Sequence, residues 1–250
     1  AEVYGYAYTY VDQPVLRGIL PYADTLVPFT YGVSAEGGLV DLDDRRLLAL
    51  AGQYGVPAMF HLSTLTEDGG FSSERAAYVL ENPERQQALA DLVVDRAAAL
   101  GYEGVDVDFE YLFADQAQSF AAFIGRLAEA AHRRGLRVVV ALAPKTSADQ
   151  AGVLYEGHDY RLLGEQADAV LLMTYEWGYA YGPPMAVAPL PAVRRVVEYA
   201  LTEIPAEKIL LGFPNYAYDW PVPYAPDNVR ARGLGNLEAP LLAFRVGAEI

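Results

Sequence analysis

Apolar and polar positions along this chain switch between two periods, and the switches divide it into strands and helices in turn. Val3–Val11 interleaves aromatic and small residues and predicts a strand, and Thr25–Tyr31, with Leu26, Val27 and Phe29, predicts a second. Over Asp41–Tyr54 the period lengthens: Leu47, Leu50, Ala51 and Tyr54 follow the i, i+3, i+4, i+7 spacing of one helix face. Gly55-Val56-Pro57 ends that helix, and Ala58–Leu62 is a short apolar strand. A Thr-, Asp- and Gly-rich loop, Ser63–Phe71, then leads into a short helix over Ser73–Glu81. Asn82-Pro83 starts a long helix, with Asn as cap and Pro at the first helical position; Leu89, Leu92, Val93 and Leu100 form its stripe and Gly101 its stop.

Gly104–Glu110 returns to strict two-residue alternation and predicts the fourth strand. Asp115 is the expected cap of the next helix, striped by Phe120, Phe123, Ile124 and Leu127 and closed by Arg133-Arg134-Gly135. Val138–Ala143 is a strand, Tyr160–Ala167 a weaker helix, and Ala169–Tyr175 the sixth strand. A helix over Pro191–Leu201, striped by Val193, Val196, Val197 and Ala200, precedes a seventh strand, Lys208–Phe213.

Strands alternating with helices argue for parallel βαβ units. Val138–Leu142 and Val170–Met173 are almost wholly apolar, as strands covered on both faces should be. A doubly wound sheet competes, but no Gly-rich phosphate loop follows the first strand, so the expected fold is an α/β TIM (β/α)₈ barrel. The 250 residues suit one domain, 1–250. Seven strands are legible and an eighth is not, so the barrel is expected to lack its last strand in this chain. Asn228–Ile250 is expected to begin a lid or insertion, with a short helix around Pro240, Leu241, Leu242 and Phe244.

Composition narrows the function classes. Hydrophobic residues make up 53% and charged residues 20%, a globular balance. A net charge of −15 argues against nucleic acid and against docking on an anionic membrane, and favours a neutral substrate. With no cysteine, disulfides and thiolate metal sites are excluded. No apolar run approaches the roughly 20 residues of a membrane helix. The chain opens almost directly on strand residues, Glu2-Val3-Tyr4. A monomer is expected.

The chemistry concentrates in Asp106, Asp108 and Glu110, spaced by Val105, Val107 and Phe109. In an extended strand the three carboxyl groups share one face, roughly 6–7 Å apart, and the apolar residues share the other. Carboxylates so close cannot all ionise cheaply, so at least one should stay protonated, as a general acid must. An exposed acidic edge and a Mg²⁺ site are the two competing readings. In a barrel the catalytic residues sit at the C-terminal strand ends, where Glu110 falls, and the exposed-edge reading weakens. His61, His132 and His158 show no ligand spacing; His61, ending its strand, either reaches the site or packs in the core. No phosphate loop and no Gly-x-Ser-x-Gly elbow is present.

Glu103-Gly104-Val105-Asp106-Val107-Asp108-Phe109-Glu110 resembles the signature of the family 18 glycoside hydrolases, the chitinase-like barrels, which usually opens with Asp where Glu103 stands. Later segments resemble the family's spore-cortex-lytic branch of N-acetylglucosaminidases: Ala141–Gln150, Met173-Thr174-Tyr175-Glu176-Trp177-Gly178, Gly182–Pro189 and Gly212-Phe213-Pro214-Asn215-Tyr216. The resemblance covers nearly the whole chain. It implies a retaining N-acetyl-β-D-glucosaminidase that cleaves peptidoglycan or spore-cortex fragments during germination, in the spore or secreted. LysM modules, which accompany such enzymes, are absent from residues 1–250.

The resemblance also implies roles. Glu110 would protonate the leaving oxygen and then activate water; the substrate's own acetamide would replace a protein nucleophile. Asp108 would orient that acetamide, Asp106 would hold Asp108, and Tyr175 would donate its hydroxyl to the acetamide oxygen. Muramic-δ-lactam has no free acetamide, so the sugar at the cleaved reducing end should be N-acetylglucosamine. Trp177, Glu176, Met173, Asn215, Tyr216 and Tyr4 are the candidate sugar contacts, within a wider aromatic set of Tyr179, Tyr181, Tyr218 and Trp220 in loops after the sixth and seventh strands. Chitinases usually carry Asp where Glu176 stands, and no residue matches the Trp that ends the family's last strand. Neither cofactor nor metal is implied. A chitinase or endo-N-acetylglucosaminidase would use the same residues; a lectin-like barrel, the third reading, usually loses the acid.

Overall fold

The structure is a computed structural model describing residues 2–66, 68–225 and 230–248. Its strands are β1 (Tyr4–Tyr8), β2 (Thr25–Phe29), β3 (Tyr31–Val33), β4 (Leu39–Val40), β5 (Met59–Ser63), β6 (Gly104–Asp108), β7 (Arg137–Leu142), β8 (Ala169–Leu172), β9 (Ile209–Leu211), β10 (Tyr216–Asp219) and β11 (Arg232–Gly235). Its helices are α1 (Gln13–Ile19), α2 (Arg45–Tyr54), α3 (Ser73–Leu80), α4 (Pro83–Leu100), α5 (Ala117–His132), α6 (Tyr160–Gln166), α7 (Leu190–Glu203) and α8 (Glu238–Val246).

The strands follow one another in chain order around a parallel barrel wall. β1 pairs with β2; β3 continues β2 beyond Thr30 and pairs with β5; β6, β7, β8 and β9 follow, all parallel. A bridge from Leu26 to Ala58, with the Leu26 amide donating to the Pro57 carbonyl at 2.9 Å, ties β2 to the start of β5. This is the α/β TIM-barrel architecture the alternation predicts. Among the described residues no strand joins β9 to β1. The expected lid or insertion, Asn228–Ile250, falls outside the described residues at both its ends; between them lie β11 and α8.

Each wall strand has an outer face toward the helices and an inner face toward the barrel axis. Val105, Val107 and Phe109 are fully buried on the outer face of β6, where Phe109 stacks against Phe120 and Phe123 of α5. The inner face is layered. Val27, Met59, Val139, Ala169 and Leu171 form an apolar plug near the N-terminal strand ends. Gly104 makes room for it, because a Cβ there would lie 2.9 Å from the Met59 methyl and 2.6 Å from the Arg137 carbonyl. Above the plug the register sets His61 beside Asp106 and Ser63 beside Asp108. The carboxylates therefore sit on an apolar floor.

The α4 boundaries follow the sequence. Asn82 Oδ1 accepts from the amides of Glu84 and Arg85, and Gly101 takes φ +78° as the helix ends. Three expectations differ, and one helix goes unpredicted. Asp115 does not cap α5: a 3₁₀ turn over Ala114–Gln116 leads into the helix, and the Gln116 side chain accepts from the Phe113 amide instead. The sixth strand stops at Leu172 rather than Tyr175, because the Thr174 and Tyr175 amides turn back onto the carbonyls of Leu172 and Met173. Helix α1 has no apolar stripe long enough to reveal it; only Leu16 of its seven residues is buried. Tyr216 and Tyr218 belong to β10 of an antiparallel hairpin with β11, not to a loop.

Candidate active site

Three carboxyl groups gather at the C-terminal end of β6. Asp106 and Asp108 are buried on the strand, and Glu110 stands two residues beyond its last paired position. The Tyr6 hydroxyl donates to Asp106 Oδ2 at 2.7 Å, while Asp106 Oδ1 and Asp108 Oδ1 have no partner among the described residues. Burial without hydrogen-bond donors favours the protonated form. Burial raises Asp106 to about 7, against the opposing pull of the Tyr6 hydrogen bond. Asp108 is pushed well above the ordinary range by burial, then by the charges of Glu110 and Asp106. Glu110 is raised to about 7 by burial and by the nearby Glu176 carboxylate. These shifts together favour a cluster that holds at least one proton near neutrality.

The segment that carries Glu110 is fixed from behind. The Ala143 amide donates to His158 Nδ1 at 2.8 Å, which leaves Nε2–H to donate to the Phe109 carbonyl at 2.9 Å. His158 is buried and neutral, lowered to about 4 by desolvation. It thus locks the backbone one residue before Glu110 to the end of β7. The sequence offered no spacing that would single it out.

Tyr175 faces the carboxylates from the end of β8. Gly212 makes its position possible: a Cβ there would lie 2.5 Å from the Tyr175 ring. Burial, and then the charges of Asp108, Glu110 and Asp106, hold the Tyr175 hydroxyl firmly protonated, so it is a donor throughout the physiological range. Glu176 follows in a left-handed conformation, φ +64°. It accepts hydrogen bonds from Tyr216 at 2.5 Å and Tyr218 at 3.0 Å on the β10 hairpin. One further acidic side chain, Glu176, thus faces Glu110 from the loop after β8.

The other sequence candidates divide. Met173 is buried at the end of β8, two residues before Tyr175. Trp177 is half-buried and packs partly on the outer core, its amide on the Val187 carbonyl. Asn215 is exposed beside Tyr216. Trp220 donates its indole N–H to the Gly182 carbonyl. Tyr4 does not join the carboxylates: its ring packs against the apolar plug and its hydroxyl donates to Glu2. The reason is depth. Tyr4 and Tyr6 share a strand face, and Tyr6 lies about 6.6 Å nearer the C-terminal rim at about 3.3 Å per residue. Alternation identifies the face; it cannot say which residue on that face reaches a group on β6.

Residues 60–234 match the glycosyl hydrolases family 18. The chain is 38% identical over 238 residues to the cortical fragment-lytic enzyme of Bacillus subtilis (strain 168), covering 95% of this chain and 55% of that protein. The crystal structure of the Bacillus megaterium QM B1551 spore cortex-lytic enzyme SleL superposes with a TM-score of 0.92 at 34% identity, over 100% of this chain and 58% of that one. A chitinase from Chromobacterium violaceum ATCC 12472 gives 0.88 at 25% identity, over 100% and 78%. The chain thus spans little more than half the length of its cortex-lytic relatives. The barrel agrees with these matches: the chain belongs to the family 18 glycosyl hydrolases.

Proposed function

We propose that residues 1–250 form one catalytic domain of a retaining N-acetyl-β-D-glucosaminidase that cleaves spore-cortex peptidoglycan during germination and works in or on the spore. The observation that carries this reading is the gathering of Asp106, Asp108 and Glu110 at the C-terminal end of β6, with Tyr175 facing them from the end of β8. The likeness to cortical fragment-lytic enzymes supports the choice of glycan.

Glu110, protonated below about pH 7, gives its proton to the glycosidic oxygen. No second carboxylate acts as nucleophile. The acetamide oxygen of the substrate attacks the anomeric carbon from the opposite face, forming a cyclic oxazolinium ion. Asp108 orients the acetamide nitrogen and balances the positive charge, Asp106 shares its proton with Asp108, and Tyr175 donates to the acetamide oxygen. Glu110, now ionised, takes a proton from water as that water opens the ring, restoring the β-configuration. Because a free acetamide is required, the bond cut lies after N-acetylglucosamine and not after muramic-δ-lactam. Trp177, Tyr216 and Glu176 are proposed sugar contacts, with Asn215 and Met173 at the edges of the same cleft.

The test is mass spectrometry of cortex fragments from a lysozyme-type digest, before and after addition of the full-length protein. New products ending in reducing N-acetylglucosamine, released as the β-anomer, are expected. Cleavage of chitin oligomers alone would favour a chitinase, the reading that the Chromobacterium likeness supports. Glu110→Gln should lower kcat by about 100-fold or more while sugar binding persists, as loss of a general acid does. A fully active Glu110→Gln protein would overturn the mechanism.

A further inference from the structure

One ionisable side chain inside the barrel has no part in the chemistry above. His61 is buried on the inner face of β5, at the level of Asp106. Its Nδ1 lies 2.6 Å from Thr30 Oγ1, and its Nε2 points between the two aspartates, 3.7 Å from Asp106 Oδ2 and 3.8 Å from Asp108 Oδ2. The ring is packed between Tyr6, edge-on at 5.8 Å, and Phe29 at 4.7 Å, so it cannot swing to another partner without disturbing both.

The neutral imidazole has one proton and two sites for it. Desolvation holds His61 near a pKa of about 3, so a doubly protonated ring is not available at working pH. With the proton on Nδ1, a lone pair would face two carboxyl groups that need donors. With the proton on Nε2, the ring donates toward both, and Thr30 Oγ1 donates to Nδ1. The second arrangement turns the ring's one proton, rather than a lone pair, toward the two Oδ2 atoms at 3.7 and 3.8 Å. It also places a donor beside carboxyl groups that have few, since Tyr6 is the single donor that Asp106 has among the described residues and Asp108 has no side-chain donor there.

We propose that His61 is a positioning residue: fixed by Thr30 through Nδ1, it presents Nε2–H to Asp106 and Asp108 and holds the two as a proton-sharing pair. The inference rests on the reading of Asp106, Asp108 and Glu110 as the catalytic set. Among the described residues the ionisable groups facing the ring are Asp106 and Asp108 from β6 and Tyr6 from β1; Thr30 and Phe29 also lie against it. A neutral donor between two carboxyls favours the form in which one of them is ionised. That charge is the one the oxazolinium ion needs.

The experiment uses the full-length protein. In ¹⁵N-histidine NMR, His61, assigned by the loss of its signals in His61→Gln, should show the Nε2–H tautomer and stay neutral from pH 5 to pH 8. Its Nε2 shift should move as the carboxyl cluster titrates, and Asp106→Asn should reduce that movement, leaving the part due to Asp108. In kinetics, His61→Phe removes the donor, so the acid limb of kcat/KM should move to higher pH, with about a tenfold loss at pH 5 and less at pH 7. His61→Gln, which keeps an N–H donor, should restore part of it. An Nδ1–H tautomer, or a His61→Phe protein with an unshifted pH profile, would sink the proposal. Should Glu110→Gln stay active, the underlying mechanism fails instead, and the tautomer result still stands on its own.

Discussion

The Tyr6 hydroxyl donates to Asp106 Oδ2 at 2.7 Å, joining side chains 100 residues apart across the barrel interior. Tyr4, on the same strand face, ends on Glu2 at the opposite end of the barrel. The two tyrosines therefore separate by function. Tyr6→Phe is expected to lower kcat/KM by about tenfold or more, the usual effect of deleting one hydrogen bond to a charged group. Tyr4→Phe should leave it unchanged. Parallel steady-state assays decide, and equal effects of the two would contradict this geometry.

Glu176 is the second cause, after burial, that raises Glu110 to about 7. A general acid must be protonated in the free enzyme, so kcat/KM should fall about tenfold per pH unit above that value. Neutralising Glu176 removes one of the two effects that keep the proton on Glu110. Glu176→Gln should accordingly shift the alkaline limb to lower pH. A limb that stays in place, or moves upward, would show that Glu176 does not act on Glu110 through its charge.

Asp106 couples activity to stability. Its pKa lies at 3.8 in the unfolded chain and about 7 in the folded one. Between those values the folded protein holds a proton that the unfolded chain has released, so stability falls as pH rises through this window. Above about pH 7 the loss is complete. Asp106→Asn cannot ionise and escapes it. Its Tm advantage over the unaltered protein should widen from pH 4.5 to pH 7 and then level off, even though its activity is lower. Scanning calorimetry at pH 4.5, 6, 7 and 8 measures this directly; a constant Tm difference would mean that the folded carboxyl titrates normally.

The proposed mechanism routes no step through a cation: the acid is Glu110 and the nucleophile comes from the substrate. Exhaustive dialysis against EDTA should leave kcat unchanged, and added Mg²⁺ should not raise it. Loss on chelation with recovery on Mg²⁺ would revive the reading of Asp106, Asp108 and Glu110 as a metal cage.

Much of this was written in local periodicity. The two-residue alternation over β6 already separates the Asp106, Asp108 and Glu110 face from the Val105, Val107 and Phe109 face, because side-chain direction along a strand is a property of the backbone. The Asn82 cap and the Gly101 stop of α4 are equally local. The resemblance at Tyr175 and in the β6 signature led to the family that the matches bear out.

Depth and partnership were not legible, because they depend on how strands are staggered around the barrel. His61, Tyr6 and His158 lie in different strands or loops, and no spacing links them to Asp106 or Glu110. The stagger of β5 against β6 sets His61 level with Asp106, and β1 brings Tyr6 rather than Tyr4 to that carboxylate. A single residue's shift in either register would turn these side chains to the helix face, where Val105 and Phe109 pack. Local alternation chooses the inner face; the packing of whole strands against one another chooses which groups meet on it.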